Sequence, residues 1–161
     1  KLTINPDRTE YGDGRAEIYD LGLLDERGNV TNLLLKGEMF TIRERIRFHA
    51  ALEAPIFTYT IKDKKGTELT GTNTLYEGAD IKPVKAGDSY TVEFTQKMNL
   101  QGGEYLLSMS CTGFEQGEHV VYHRLYDVTS TTVISNKNTV GVYDMESQVK
   151  AVKEEGQEEE G

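Results

Sequence analysis

From Ala16 to Tyr143 the apolar residues recur mostly at every second position, and glycine breaks the runs at Gly28, Gly37, Gly66, Gly87, Gly102-Gly103, Gly113 and Gly117. Side chains of a strand alternate between two faces, so this period predicts short antiparallel strands, each with one face in a core. No long stretch follows the 3.6-residue period of a helix.

In the stretch Glu38 to His49, Phe40, Ile42, Ile46 and Phe48 fall on one face, and Thr41, Arg43, Arg45, Arg47 and His49 on the other. Glu44 interrupts the apolar face. An unpaired buried acid is expensive, so either the strand shifts register there or the carboxylate meets a cation at a sheet edge. Phe57, Tyr59 and Ile61 alternate in the next strand, and Asp63-Lys64-Lys65-Gly66 predicts a hairpin turn into Thr67 to Leu75. Tyr90, Val92 and Phe94 share a face in a third strand. Further strands are predicted over Ala16 to Leu24, Glu104 to Cys111, His119 to Tyr126, Thr131 to Ser135 and Thr139 to Tyr143. The fold expected is all-β: about eight to ten strands in a sandwiched or closed antiparallel arrangement.

The chain's 161 residues suit one domain with a real core, so disulfides are not required. The only cysteine, Cys111, cannot close an internal bridge, which fits a reducing compartment, and its alternating strand makes it a small core residue. Lys-Leu-Thr-Ile at the start carries neither Met nor a leader-type apolar segment and reads as a piece of a longer protein. The net charge of −9 argues against a duplex nucleic-acid partner, which calls for a basic footprint. Residues 146–161, ESQVKAVKEEGQEEEG, hold six acids and two lysines, with two valines as the only large apolar groups. Such a segment cannot offset the entropy of ordering. The expected division is therefore a sandwich over 1–145 and an acidic, disordered tail over 146–161.

Signatures of catalysis are missing. The sequence has no G-x-S-x-G elbow, no phosphate loop and no G-x-G-x-x-G turn, and it offers no cofactor motif. His119 and His123 have the spacing of a zinc helix, but on a strand they stand about 13 Å apart, so no metal site is expected. The feature that remains is a row of cations. Arg43, Arg45, Arg47 and His49 project from one strand face, and Thr58, Thr60 and Lys62 extend it if the following strand pairs alongside. Like charges so close call for compensation, either an anionic ligand or acids such as Glu44, Glu53 or Glu93. Nine tyrosines and no tryptophan supply amphipathic rings that can stack on sugar faces. Tyr122 and Tyr126 share the face opposite His119 and His123, and nothing in the pattern says which face is wet.

The run GEMFTIRERIRFHAALEAPIFTYTIKDKKGTELTGTNT, Gly37 to Thr74, resembles the C-terminal domain of the ATP-binding subunit of bacterial O-antigen and related polysaccharide ABC exporters, the Wzt type. YGDGRAEIYDLGLLDERGNVTN before it, and QGGEYLLSMSC and YHRLYDVTSTTVISNKNTVGVYDM after it, extend the likeness over roughly Arg8 to Met145. The resemblance implies an immunoglobulin-like β-sandwich behind a cytoplasmic ATPase domain, held at the inner face of the membrane by the exporter's membrane subunit. It implies a polysaccharide ligand, the lipid-linked glycan before export, and a homodimer that can exchange its last strand, here Thr139–Asp144. The ATPase domain is not in this chain, so ATP hydrolysis is not assigned to it.

The face argument makes Arg43, Arg45, Arg47, His49, Thr58, Thr60 and Lys62 the carbohydrate-binding residues, with no catalytic residue and no metal. The rival reading is an immunoglobulin-like structural module that contacts protein only.

Overall fold

The computed structural model describes residues 2–156. Among these, nine strands form two stacked sheets: β1 (Thr9–Tyr11), β2 (Ala16–Leu24), β3 (Leu33–Leu35), β4 (Met39–Phe48), β5 (Ile56–Asp63), β6 (Glu68–Asn73), β7 (Ser89–Lys97), β8 (Gly103–Glu115) and β9 (Glu118–Ile134). The larger sheet runs β1-β9-β8-β5-β6, with β3 also on β9, and the smaller runs β2-β4-β7. Every pairing is antiparallel except the short β3–β9 contact. No described helix is long and apolar enough to cross a membrane.

The period-two pattern sets which faces meet. Phe40, Ile42, Ile46 and Phe48 of β4 face Phe57, Tyr59 and Ile61 of β5, with Leu107, Met109 and Cys111 of β8 beside them in one buried cluster. Phe48 and Phe57 rings lie 6.2 Å apart across the sheets, and Tyr59 meets Phe94 edge-on at 5.0 Å. Each such buried ring contributes about 2–3 kcal/mol of transfer free energy. The hairpin from β5 to β6 turns where expected, with the Asp63 carboxylate accepting the N–H groups of Lys65 and Thr67. The β8–β9 hairpin uses a two-residue loop, Gln116-Gly117, at φ 54° and 80°, the left-handed pair whose twist matches that of the flanking strands.

Two expectations about strands change. His119 to Tyr126 and Thr131 to Ser135 belong to one long strand, β9, carried through by bulges. The β8–β9 register shifts between Leu107 and Met109 and between Cys111 and Thr112. At the first shift Asp127 adopts φ 51° and donates its N–H to Ser108 Oγ at 2.9 Å. At the second, Tyr122 enters the core and donates its hydroxyl to Glu115, while Tyr126 stays outside, so these two tyrosines do not share a face. Thr139–Asp144 forms no strand, because Gly141 turns the chain at φ 86° and Val140 is 96% exposed. A bridge from Tyr143 to Leu100 holds it to the sandwich, with two hydrogen bonds between Thr139 and the Gln101 amide and the buried Asp144 carboxylate 2.9 Å from Lys36 Nζ and 3.2 Å from Lys137 Nζ. Lys36 foremost holds the Asp144 carboxyl well below the usual carboxylate range.

Glu44 overturns both alternatives considered for it. β4 keeps continuous register with β7 from Met39 to Arg47, and the side chain sits at 0% exposure on the central strand with neither oxygen hydrogen-bonded. Burial pushes its carboxyl well above the ordinary value, so it resides in the core as a neutral acid. Cys111 is likewise a core residue, its thiol pushed up by burial and then by Glu44.

Candidate functional site

Because Phe57, Tyr59 and Ile61 point inward, Thr58, Thr60 and Lys62 must point out of the larger sheet. Ladder register then places their neighbours. Thr58 stands opposite Ser110 and Asn73, Thr60 opposite Ser108 and Gly71, and Ser110 opposite Arg124, which in turn faces Tyr11 of β1. One row therefore crosses five strands as Tyr11, Arg124, Ser110, Thr58 and Asn73. Adjacent members sit about 4.8 Å apart, on the scale of one sugar ring.

This outer face is hollow. A concavity of about 570 Å³ has Thr58, Thr60, Ser110 and Thr112 on its floor, with Tyr76 and Phe114 among its walls. A second hollow of about 180 Å³ shares Thr58, Thr60, Ser110 and Arg124, and adds Ser108 and Tyr126. The β9 bulges bend that strand and so help curve the sheet. Ser108, Ser110 and Thr112 are buried although they belong to an outer face. Among the described residues no hydrogen bond engages the hydroxyls of Thr58, Thr60, Ser110 or Thr112. A hollow floored by free hydroxyls and rimmed by aromatic rings can hydrogen-bond and stack on a polyhydroxylated ligand. Tyr126 lines the second hollow, and behind it the Lys62 ammonium lies 4.8 Å over the Tyr126 ring and 3.4 Å from Asp127.

The arginine row lies elsewhere. β4 pairs with β2 and β7, never with β5, so Arg43, Arg45, Arg47 and His49 project from the smaller sheet on the opposite side of the sandwich from Thr58, Thr60 and Lys62. The seven residues do not form one face. The physical reason is topological: the chain crosses from one sheet to the other between Phe48 and Ile56. Compensation on the smaller sheet comes from β2. Arg45 lies 3.7 Å from Asp20, His49 3.1 Å from Glu17, and Arg47 stacks 3.9 Å over the Tyr19 ring. Arg43 lies across Gly22, where an added Cβ would meet its guanidinium at 3.0 Å. Glu93 stands opposite Arg43 in the β4–β7 ladder.

The sequence reading missed Arg124, Ser110, Thr112 and Asn73. Ser110 and Thr112 were legible only as the polar half of an alternating strand. Arg124 was hidden because the bulge at Tyr122 breaks the alternation that would have assigned its face. His123 is hydrogen-bonded at both ring nitrogens. Its Nδ1 accepts the Ile18 N–H across the sandwich at 2.8 Å, and Nε2 lies 3.0 Å from Glu10. Among the described residues no group of three or more His, Cys, Asp or Glu side chains is placed to hold a metal ion.

Two more grooves follow the open edge between β6 and β7. One, of about 560 Å³, is mostly apolar and is bounded by Phe40, Leu69, Met98 and Leu100, with Val142 and Tyr143 of the C-terminal segment on its rim. The other, of about 580 Å³, continues it along Tyr90 and Phe94.

A family model described as the Wzt C-terminal domain matches residues 7–145. Among solved structures, the crystal structure of the C-terminal domain of Wzt superposes with a TM-score of 0.87 at 22% identity, over 94% of this chain and 93% of that one, which establishes the shared fold. A β-glucosidase from Listeria innocua in complex with gluconolactone aligns at a TM-score of 0.39 and 11% identity over 71% of this chain and 16% of its own, too loosely to carry an argument. No curated protein matches the chain.

Proposed function

Because the chain belongs to the Wzt C-terminal domain family, we propose that it is a non-catalytic carbohydrate-binding domain of a polysaccharide ABC exporter, which recognises a lipid-linked, O-antigen-like glycan before export. The observation that carries the reading is the hollow outer face of the larger sheet. Four hydroxyls there have no hydrogen-bond partner among the described residues, and Tyr76, Phe114 and Tyr126 line the hollows beside them. Thr58, Thr60 and Lys62 keep their place in the binding set. Ser110, Thr112, Asn73 and Arg124 join it, and Arg43, Arg45, Arg47 and His49 leave it. In this reading residues 1–145 are the binding domain and 146–161 an acidic extension. The parent subunit supplies the ATPase domain, and the exporter's membrane subunit holds the assembly at the cytoplasmic side of the membrane.

The domain works as a homodimer in the same reading. Residues 139–144 leave the sandwich beside the apolar groove at its open edge, held by one bridge, two Thr139–Gln101 hydrogen bonds and the Asp144 ion pairs, with no strand ladder to break on exchange with a second copy.

The test is retention of the host's lipid-linked polymer by the immobilised chain. Thr58→Val/Thr60→Val keeps shape and removes two hydroxyls, each worth about 0.5–1.5 kcal/mol, so affinity falls about tenfold. Unchanged affinity removes this face from the site. Failure of the folded wild-type chain to retain the polymer favours the protein-contact module.

A further inference from the structure

Arg124 sits against two tyrosine rings at the edge of the hollow face and, among the described residues, forms no ion pair. Its guanidinium carbon lies 5.6 Å from the Tyr11 ring centroid and 5.8 Å from that of Tyr126, and the two rings are 5.9 Å apart. Nη1 donates to the Tyr11 hydroxyl at 2.8 Å, which fixes the plane of the fork. A guanidinium carries five N–H donors, so most of the fork is free to serve a ligand. Among the described residues no carboxylate comes within 4 Å of it. Asp127 lies against Lys62 at 3.4 Å, Glu10 against His123 at 3.0 Å, and Glu68 stands opposite Lys62 in the β5–β6 ladder. The Tyr126 hydroxyl first, and then the Arg124 guanidinium, hold the Tyr11 phenol below its ordinary value.

Both hollows of the larger sheet open onto this guanidinium. Its ladder neighbours are Ser110 and then Thr58, so cationic fork, hydroxyl and hydroxyl follow one another across three strands. The two ends of that row are about 10 Å apart, a span of one to two sugar rings. A planar fork with paired donors matches an oxyanion with two or three equivalent oxygens far better than it matches a sugar hydroxyl.

We propose that Arg124, packed beside Tyr11 and Tyr126, is an oxyanion subsite, and that the saccharide this face takes is acidic, with a carboxylate or phosphate group on the fork and neutral ring hydroxyls on Ser110 and Thr58. The proposal rests on the carbohydrate reading above and adds the charge class of the ligand and the residue that selects it.

The test is an NMR titration that follows the Arg124 side-chain Nε–H and the backbone amides of β5 and β8. The probes are methyl β-D-glucuronide, glucose 6-phosphate and, as the neutral control, methyl β-D-glucoside. The first two distinguish a carboxylate site from a phosphate site. At least one acidic sugar shifts the Arg124 signal and binds about tenfold or more tightly than the glucoside, with a preference that shrinks as salt is added. Arg124→Gln abolishes the preference of the acidic sugars over the glucoside. Arg124→Lys retains part of the preference. Equal binding of all three sugars, or a preference that survives Arg124→Gln, overturns the oxyanion subsite while the carbohydrate reading stands. Sugars that leave every signal unmoved while inorganic phosphate shifts Arg124 keep the subsite and remove the carbohydrate. Silence to all four probes overturns both.

Discussion

The two sheets handle their unmet polar groups in opposite directions. On the larger sheet they face outward, as the free hydroxyls of Thr58, Thr60, Ser110 and Thr112 and most of the Arg124 fork. On the smaller sheet most of the outward charges are answered locally, by Asp20, Glu17 and the Tyr19 ring, and the unanswered carboxylate, Glu44, is sealed inside. Density of charge is therefore a poor guide to a binding surface. Three arginines in alternation drew attention to β4, yet polar atoms with no partner and access to solvent are what a ligand can satisfy, and those lie on β5, β8 and β9. An unmet group turned inward adds no binding capacity and costs stability.

That cost gives the largest predicted effect. Replacing Glu44 by Leu removes two unbonded buried oxygens and stabilises the fold by about 1–3 kcal/mol, which raises the melting temperature by about 2–4 °C per kcal/mol. The pH dependence fixes the sign. The folded-state carboxyl is raised well above the ordinary 4.5 by burial, so the native protein holds this proton after the unfolded chain has released it. Its contribution is complete below about pH 4.5 and declines by about 1.4 kcal/mol per unit as pH climbs toward the folded value. Glu44→Gln keeps the buried polar atoms and abolishes that slope. Chemical denaturation of wild type and Glu44→Gln at pH 5, 6 and 7 measures it directly. A stability difference that stays constant with pH would mean that Glu44 has a partner, and the contrast between the two sheets would collapse.

Glu44 also shows where reading the sequence stops. The sandwich was legible because period two and glycine punctuation are local: β2 spans Ala16–Leu24 as expected, β4 and β6 fall within two residues of the expected bounds, and β5 and β7 contain the expected alternating residues. Sheet membership is not local. Whether the strand after β4 lies beside it or across the core from it depends on the crossover between Phe48 and Ile56, and either choice buries the same apolar faces. The seven expected site residues are therefore split between the sheets, with Thr58, Thr60 and Lys62 on the larger, and Arg43, Arg45 and Arg47 of β4 with His49 just beyond it on the smaller. Bulges are the second blind spot. Tyr122 and Asp127 break the alternation of β9, and with it the rule that would have put Arg124 beside Ser110. The third is the C-terminal strand. The apolar alternation of Val140 and Val142 suggested it, but Gly141 turns the segment instead.

The next effect in size concerns a contact that joins the sheets. Ile18 sits at the register shift of β2, so the His123 imidazole of the larger sheet serves its N–H instead of a ladder carbonyl. As acceptor at Nδ1, the ring carries its neutral-state proton on Nε2, directed at Glu10. His123→Phe keeps a ring in the gap and leaves that N–H without its acceptor, at a cost of about 1–3 kcal/mol. His123→Gln offers a new acceptor and recovers part of it. Equal stability of the Phe variant and wild type would show that water satisfies Ile18, and that the two sheets are joined by packing alone.

The smallest predicted effect bears most directly on the contrast between the faces. Arg45→Ala/Arg47→Ala removes the centre of the cation row but touches only exposed or half-exposed partners, Asp20 at 3.7 Å and the Tyr19 ring. Exposed ion pairs contribute about 0–1 kcal/mol each, and an exposed cation–π contact about 0.5–1 kcal/mol. The double variant therefore loses at most about 2 kcal/mol of stability and, on the present reading, retains glycan affinity within about twofold. Measured beside Thr58→Val/Thr60→Val in the same polymer-retention experiment, it separates the faces in one comparison. Should the β4 variant lose binding and the β5 variant keep it, the occupied face is the smaller sheet's, and the acids and aromatic ring beside its arginines are partners that a stronger anion displaces.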